Sequence, residues 1–151
     1  MESFASDGRI TYQTWQSPSG WDISRAELRM VEPWAERIAG YPEIAMSLMT
    51  YSNPGQARGE LVWVGPGTSE ADYAGKDVAG KIVLGNTGVG QVFNNAVNVK
   101  GAAGAIGTGS AGVSANSAGY SLDQIGWASV GATPDGGGFG FNLSLRQFQE
   151  L

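Results

Sequence analysis

The chain has 151 residues, of which 9 are lysine or arginine and 14 are aspartate or glutamate, and it contains neither histidine nor cysteine. It therefore cannot form a serine–histidine–aspartate triad, a thiolate nucleophile, a disulfide or a zinc site built on thiolates. The net charge of −5 argues against binding to nucleic acid, which needs clustered lysine and arginine, and against binding to anionic membranes. The length predicts a single domain.

The distribution of apolar and small residues narrows the class of protein further. No stretch approaches the 18 or more apolar residues of a membrane-spanning helix, and Met1–Arg9 lacks the order of charges and apolar residues typical of a signal peptide. Glycine contributes 24 of the 151 residues, against a usual share of about 7%, which argues against a helical bundle. Between Ile82 and Leu122 the only charged residue is Lys100, so a polar first part is followed by a part rich in small residues.

The first half of the chain predicts two strands and a short helix. Alternating polarity predicts a strand at Ile10–Gln16. Ser24 and Glu27 have the spacing of a capping box that would start a helix, but Pro33 would interrupt that helix, so we predict a strand at Glu27–Glu32. Pro33 would break a helix interior but is tolerated in a first turn, so we expect a short helix over Pro33–Ala39 that ends at Gly40.

The second half predicts an alternation of strands and helices. Glu60–Val64 and Lys81–Leu84 are short apolar runs bracketed by glycine, which is typical of strands covered on both faces. After Gly90 the apolar and polar positions separate onto two faces at helical spacing, and Gly101 is expected to end that helix. The remaining predicted elements are a surface loop at Asp72–Asp77, strands at Ala102–Ile106 and Phe139–Leu143, and a final helix capped by Ser144 and Gln147.

The glycine-rich segment Gly85–Gly90 follows a predicted strand, begins a predicted helix and precedes another strand. This is the local plan of a dinucleotide-binding turn, in which glycines let the backbone approach a pyrophosphate at a helix N-terminus. The spacing is Gly-x-x-Gly-x-Gly, however, and the next carboxylate is Asp123, well beyond the acidic residue expected about 20 positions onward. A strand-to-helix turn is the simpler interpretation, with a small nucleotide-binding domain as the alternative.

The aspartates give no indication of a catalytic pair. Asp72 and Asp77 flank one loop, whereas Asp123 and Asp135 lie in separate glycine-rich segments, and no spacing brings two carboxylates together across a cleft. We therefore predict no catalytic residue, no metal ligand and no cofactor-binding residue in this chain.

Residues Gly107–Ser121 form a long uncharged segment, rich in hydroxyl groups, that shows no periodicity. Within a compact domain such a segment is mobile or functional. Tyr120 and Trp127 bracket the following turn and are candidates for aromatic contact surface. Packing of the rings into the core is the alternative, and for Trp127 it is the favoured one. The candidate peptide-contact residues are Ser114, Asn116, Tyr120 and Trp127. The other tryptophans are predicted to pack in the interior; they are Trp15, Trp21, Trp34 and Trp63.

Several segments, taken together, resemble one protein family. They are Glu60–Gly65, Asp72–Leu84, which ends in Gly-Lys-Ile-Val-Leu, and Gly101–Ile106, which reads Gly-Ala-Ala-Gly-Ala-Ile. In this order they resemble a protease-associated (PA) domain. The flanking segments are similar to sequences around PA domains inserted in bacterial zinc aminopeptidases; these segments are Ser17–Trp21, Ala26–Leu28 and Phe139–Ser144. With them, the resemblance covers nearly the whole chain. The Gly85–Gly90 turn departs from the Arg-Gly or cysteine-containing turn usual in the family.

The resemblance implies an α+β fold of the swivelling β/β/α type, with a curved mixed sheet or open barrel flanked by short helices. It implies a single PA-like domain over residues 1–151, with flanking strands and a short helix at 1–59 and the core at 60–151. The implied role is non-catalytic: a lid, or a module that binds peptide or protein segments, beside the active-site cleft of a zinc aminopeptidase.

The same resemblance implies a partner and a cofactor outside this chain. The partner is the catalytic peptidase domain, which in such enzymes holds two zinc ions on histidine, aspartate and glutamate ligands. Because this chain has no histidine, that zinc site is not expected here. Enzymes of this kind are often periplasmic or secreted, whereas the sequence itself indicates neither the compartment, the oligomeric state nor the peptide specificity.

Overall fold

The computed structural model describes residues 13–17, 20–108, 122–131 and 137–151, and these residues form two sheets and a few short helices. Strands β1 (Ala26–Met30) and β2 (Glu36–Tyr41) make an antiparallel pair. The second sheet is parallel and its strands lie side by side in chain order; they are β3 (Leu61–Trp63), β4 (Ile82–Leu84), β5 (Gly104–Thr108) and β6 (Phe139–Leu143). The chain therefore has the expected α+β class.

Two short helices accompany the parallel sheet. Helix α1 (Val89–Phe93) continues directly into a π-helical stretch, Asn94–Val99, and joins β4 to β5. Helix α2 (Leu145–Gln149) follows β6. At its start the hydroxyl of Ser144 accepts the N–H of Gln147, while the Gln147 side chain accepts the N–H of Ser144, so the predicted capping box is confirmed. The 3₁₀ helices are Ala45–Ser47 and Glu70–Tyr73.

The parallel sheet buries apolar side chains on both of its faces. Val83 and Ala105 belong to a buried cluster with α1, whereas Leu84 and Ile106 belong to a second cluster with the antiparallel pair and α2. Neighbouring residues of a strand point to opposite faces, so β4 and β5 are covered on both sides, and for β4 this confirms the prediction from its continuous apolar sequence. The same prediction is wrong for β3, which lies at the edge of the sheet with Trp63 48% exposed.

The helix predicted over Pro33–Ala39 is wrong, because these residues lead into strand β2. Leu28 of β1 pairs with Ala39 of β2 and both side chains are buried, so this tertiary pairing outweighs the local preference for a helix. Gly40, predicted to end the helix, lies inside the strand, where a Cβ atom would come within 2.8 Å of the Ala26 carbonyl oxygen.

Other boundaries differ less from the sequence expectations. Of the predicted strand Ile10–Gln16, residues 10–12 lie outside the described residues, and the structure assigns no strand to residues 13–16. The predicted loop Asp72–Asp77 begins within the 3₁₀ helix Glu70–Tyr73. Strand β5 starts two residues later than expected, at Gly104.

Tyr73 provides a test of this packing through its titration. Its side chain is buried and its hydroxyl donates to the Gly67 carbonyl at 3.1 Å. Burial, and to a smaller extent Asp72, raises the pKa of Tyr73 from 10.0 to about 12. Between pH 10.0 and pH 12, Tyr73 loses its phenolic proton in the unfolded chain but keeps it in the folded chain. The stability that Tyr73 contributes is therefore present below pH 10 and is lost as the pH rises towards 12.

We therefore expect the free energy of unfolding to fall more steeply over this pH range in the wild type than in Tyr73→Phe. Denaturant titrations at a series of alkaline pH values measure the difference. Tyr51→Phe, at a half-buried tyrosine, is the control and should follow the wild type. Equal slopes for the wild type and Tyr73→Phe would contradict the expectation.

Candidate functional site

A cavity of about 270 Å³ is lined by residues from three distant parts of the chain. Aromatic rings contribute from each part, namely Trp21, Tyr41 and Trp127, and Met46 and Leu48 add apolar surface. Among the described residues of the lining, Asp22 alone carries a charge. The cavity thus combines aromatic and aliphatic walls with a single carboxylate.

The segment Leu48–Thr50 positions the cavity because it lies beside β6, where Leu48 forms an isolated antiparallel bridge with Phe141. The N–H of Met49 donates to the Gly140 carbonyl at 2.9 Å, which ties the segment to β6. On its other side, the N–H of Thr50 donates to the Ala128 carbonyl and the Thr50 carbonyl accepts the N–H of Val130, both at 3.0 Å. Residues 128–130 are therefore held beside Thr50, and this places the adjoining Trp127 at the cavity.

Both tryptophans of the cavity are anchored through their indole N–H groups. Trp127 donates to the Thr50 hydroxyl at 3.0 Å, and Trp21 donates to the Ser52 carbonyl at 3.0 Å. The Trp21 ring also packs at a tilt against Tyr51, with 6.4 Å between ring centroids. Since the polar edge of each indole is satisfied, the orientation of the rings is restricted, and yet the Trp127 side chain is 58% exposed.

Of the predicted contact residues, Trp127 lies at this cavity. Its exposure shows that the alternative, packing in the core, is wrong for this ring. Ser114, Asn116 and Tyr120 lie outside the described residues. Interior packing was also predicted for four other tryptophans. Trp21 is half-buried, but the prediction is wrong for the exposed ones, which are Trp15, Trp34 and Trp63.

The sequence analysis missed the other residues of the cavity. Tyr41 and Met46 follow a segment whose secondary structure was predicted wrongly, and Trp21 was assigned to the interior. The available signal was Trp21 itself, because tryptophan is enriched at contact surfaces.

The Gly85–Gly90 segment has the expected strand, turn and helix order, but its first amides are used within the fold. The N–H of Gly85 donates to the Ile106 carbonyl at 3.0 Å and that of Asn86 to the Gly65 carbonyl at 2.9 Å. A Cβ atom at Gly85 would lie 2.6 Å from a methyl group of Val92. Close packing of α1 on β4 therefore accounts for this glycine, and the geometry adds no support to the nucleotide-binding alternative.

The carboxylates noted in the sequence have structural contacts. Asp72 accepts the N–H groups of Thr68 and Ser69, both at 2.9 Å, and the bond from Ser69 is the largest cause of the lowered pKa of Asp72. Asp123 accepts the Arg146 Nε–H at 2.6 Å, and this bond lowers the pKa of Asp123. Asp135 lies outside the described residues.

Clustered metal-binding side chains and membrane-spanning helices are both absent from the described part of the chain. Within it, no group of three or more histidine, cysteine, aspartate or glutamate side chains is arranged to hold a metal ion. None of the helices in those same residues has the length and apolar character needed to cross a bilayer.

Comparisons of the chain with protein-family models, with curated proteins and with solved structures find no match. A function is therefore inferred from the residues of the chain and the geometry of the cavity.

Proposed function

We propose that the chain is a protease-associated domain that binds peptide or protein segments without catalysing a reaction, beside the catalytic domain of a zinc aminopeptidase-like enzyme. In that position it acts as a lid or docking module that governs which substrates reach the active site. The observation that carries the proposal is the exposed but anchored ring of Trp127 in the lining of a cavity that other aromatic residues also line.

The placement of the sequence motifs supports the assignment to this class of domain. Gly-Lys-Ile-Val-Leu ends in β4, and Gly-Ala-Ala-Gly-Ala-Ile leads into β5, with α1 between them. The antiparallel pair packs on the face of the parallel sheet opposite α1, so two β layers and a helical layer lie in succession. This layering is compatible with the proposed swivelling β/β/α fold.

The dimensions of the cavity support a peptide side chain as the ligand. Pockets for whole small molecules usually measure about 300–1,000 Å³, and this cavity, at about 270 Å³, lies just below that range. Tryptophan and tyrosine are enriched among residues that dominate binding energies at interfaces. A peptide that places one side chain in the cavity could extend the rest of its main chain over the neighbouring surface.

The residues of this chain do not fit the two-zinc site of the proposed parent enzyme. The chain has no histidine, and its described residues contain no cluster of metal-binding side chains. The zinc ions are accordingly assigned to the catalytic domain, and the 151-residue chain with added zinc is expected to show no aminopeptidase turnover. Metal-dependent cleavage by the chain alone would overturn the non-catalytic proposal.

Replacement of Trp127 tests the binding proposal directly. A set of fluorescein-labelled peptides of varied sequence is titrated with the full chain, and binding is followed by fluorescence anisotropy. We expect Trp127→Ala to weaken binding of the peptides that bind the wild type by about 30-fold, the size typical of a central interface residue.

Trp34→Ala is the matched control for this experiment. Trp34 has the same exposure as Trp127, 58%, and its indole N–H likewise donates to a side chain, Glu36, at 3.0 Å. It lies between β1 and β2 and does not line the cavity, so its removal should leave the affinity unchanged. Equal losses in the two variants, or no binding by any peptide of the set, would overturn the proposal.

A further inference from the structure

The cavity beside Trp127 brings together the two kinds of group that recognise an organic cation. We propose that it binds the guanidinium group of an arginine side chain that belongs to a peptide or protein partner. This inference rests on the proposed function for the nature of the partner, and on the lining of the cavity for the charge.

The aromatic lining provides the first half of the recognition. A cation over the face of an aromatic ring is attracted by the electrons of the ring, most strongly for tryptophan, and arginine is the commonest partner because its planar guanidinium stacks on the ring. Trp21 and Trp127 have their N–H edges bound to the segment 50–52. Because the Trp21 ring also packs against Tyr51, the 58% exposed indole of Trp127 offers most of the ring surface that is left to contact a ligand.

Asp22 provides the second half of the recognition. One oxygen of its carboxylate accepts the N–H of Ile23 at 2.8 Å, and the side chain is exposed. Within the described ranges no lysine or arginine forms an ion pair with Asp22: the nearest basic residue in sequence, Arg25, instead pairs with Glu27 at 3.2 Å. A carboxylate without an internal cation, next to aromatic rings, favours a positively charged ligand over a neutral or acidic one.

The aliphatic lining distinguishes a long side chain from a small cation. Met46 and Leu48 line the same cavity and offer apolar surface to the methylene groups of an arginine side chain. A neutral apolar side chain would gain the same contacts but would offer no positive charge to Asp22. A lysine would supply the charge but not the flat stacking surface, so we expect it to bind more weakly than arginine.

The test uses a small arginine probe and its uncharged counterpart. N-acetyl-arginine N-methylamide and N-acetyl-citrulline N-methylamide have nearly the same shape, but only the first is charged. Each is titrated into the full chain by calorimetry. We expect the arginine probe to bind about tenfold more tightly than the citrulline probe, as a cation on tryptophan beside a carboxylate implies.

Asp22→Asn removes the charge and keeps an oxygen that can accept the N–H of Ile23, so the local backbone is retained. We expect this variant to lose most of the tenfold preference for the arginine probe. Glu32→Gln removes one negative charge from an exposed residue outside the cavity lining, and it should keep the preference. Equal loss in both variants, or no loss in Asp22→Asn, would overturn the assignment of Asp22.

Labelled peptides that differ only in arginine or citrulline at one position separate this inference from the proposed function. If both peptides bind equally and both depend on Trp127, peptide binding stands and the arginine preference is overturned. If the small arginine probe binds in an Asp22-dependent way while neither peptide binds, the cation site stands and the peptide-binding function is overturned. If neither the probe nor the peptides bind, both are overturned.

Discussion

Gly107→Ala is expected to lower the free energy of unfolding by about 3 kcal/mol, the upper end of the usual effect of overpacking. A Cβ atom on this residue of β5 would lie 2.7 Å from the Cα atom of Val89 and 2.8 Å from the carbonyl oxygen of Thr87. Both are backbone atoms, one in the first residue of α1 and the other two residues before it, and the Thr87 carbonyl accepts the N–H of Thr108 at 3.1 Å. The added methyl group therefore has to push the helix away from the strand.

Denaturant titration of Gly107→Ala measures this loss, and Gly59→Ala is its matched control. At Gly59 a Cβ atom would meet nothing within 4 Å, and the residue is not in the left-handed region. Alanine there should be neutral or slightly stabilising, because it restricts the unfolded chain. If the two variants had the same stability, the close contact between β5 and α1 would be wrong.

Leu143→Ala is expected to lower the free energy of unfolding by about 2–5 kcal/mol, the range for a leucine deleted from a packed core. Leu143 ends β6, is 0% exposed, and belongs to the cluster that joins the parallel sheet to Leu28 and Ala39 of the antiparallel pair. Its truncation leaves a cavity at the contact between the two sheets, where the strands on either side restrict collapse.

The control for Leu143→Ala is the same substitution at an exposed leucine. Leu122 is 42% exposed and lies outside both buried clusters, so Leu122→Ala should cost less than about 1 kcal/mol. Thermal or denaturant unfolding of both variants measures the two losses in the free energy of unfolding. A loss at Leu143 as small as that at Leu122 would show that the two sheets are not packed through this residue.

The parts of the fold that the sequence predicted correctly are those encoded by neighbouring residues. The run Ile82–Leu84 is apolar, short and bracketed by glycine, and the residues after it alternate at helical spacing, so β4 and α1 follow from local pattern alone. The cap formed by Ser144 and Gln147 needs only a spacing of three residues.

Strand β2 was not predictable in this way, because what stabilises it is distant along the chain. Pro33 and the residues after it fit the first turn of a helix, whereas the strand gains its stability from pairing with β1 and from burial of Ala39 against the parallel sheet. Local preferences for strand and helix differ by too little to oppose such burial.

The candidate site was predictable only in part for a related reason. Trp127 could be singled out as an aromatic residue after a long polar segment, but its neighbours Trp21 and Tyr41 are about a hundred positions away in the sequence. They meet because the segment Leu48–Thr50 pairs on one side with β6 and on the other with residues 128–130. That pairing depends on backbone hydrogen bonds, which leave no mark on the residue types involved.

Thr50 performs two tasks with different parts of one residue. Its main-chain N–H donates to Ala128 and its carbonyl accepts the N–H of Val130, while its hydroxyl accepts the indole N–H of Trp127. Of the common replacements, serine alone keeps a comparable hydroxyl at this place. Evolution can therefore replace Thr50 only by serine if the indole of Trp127 is to keep its hydroxyl acceptor.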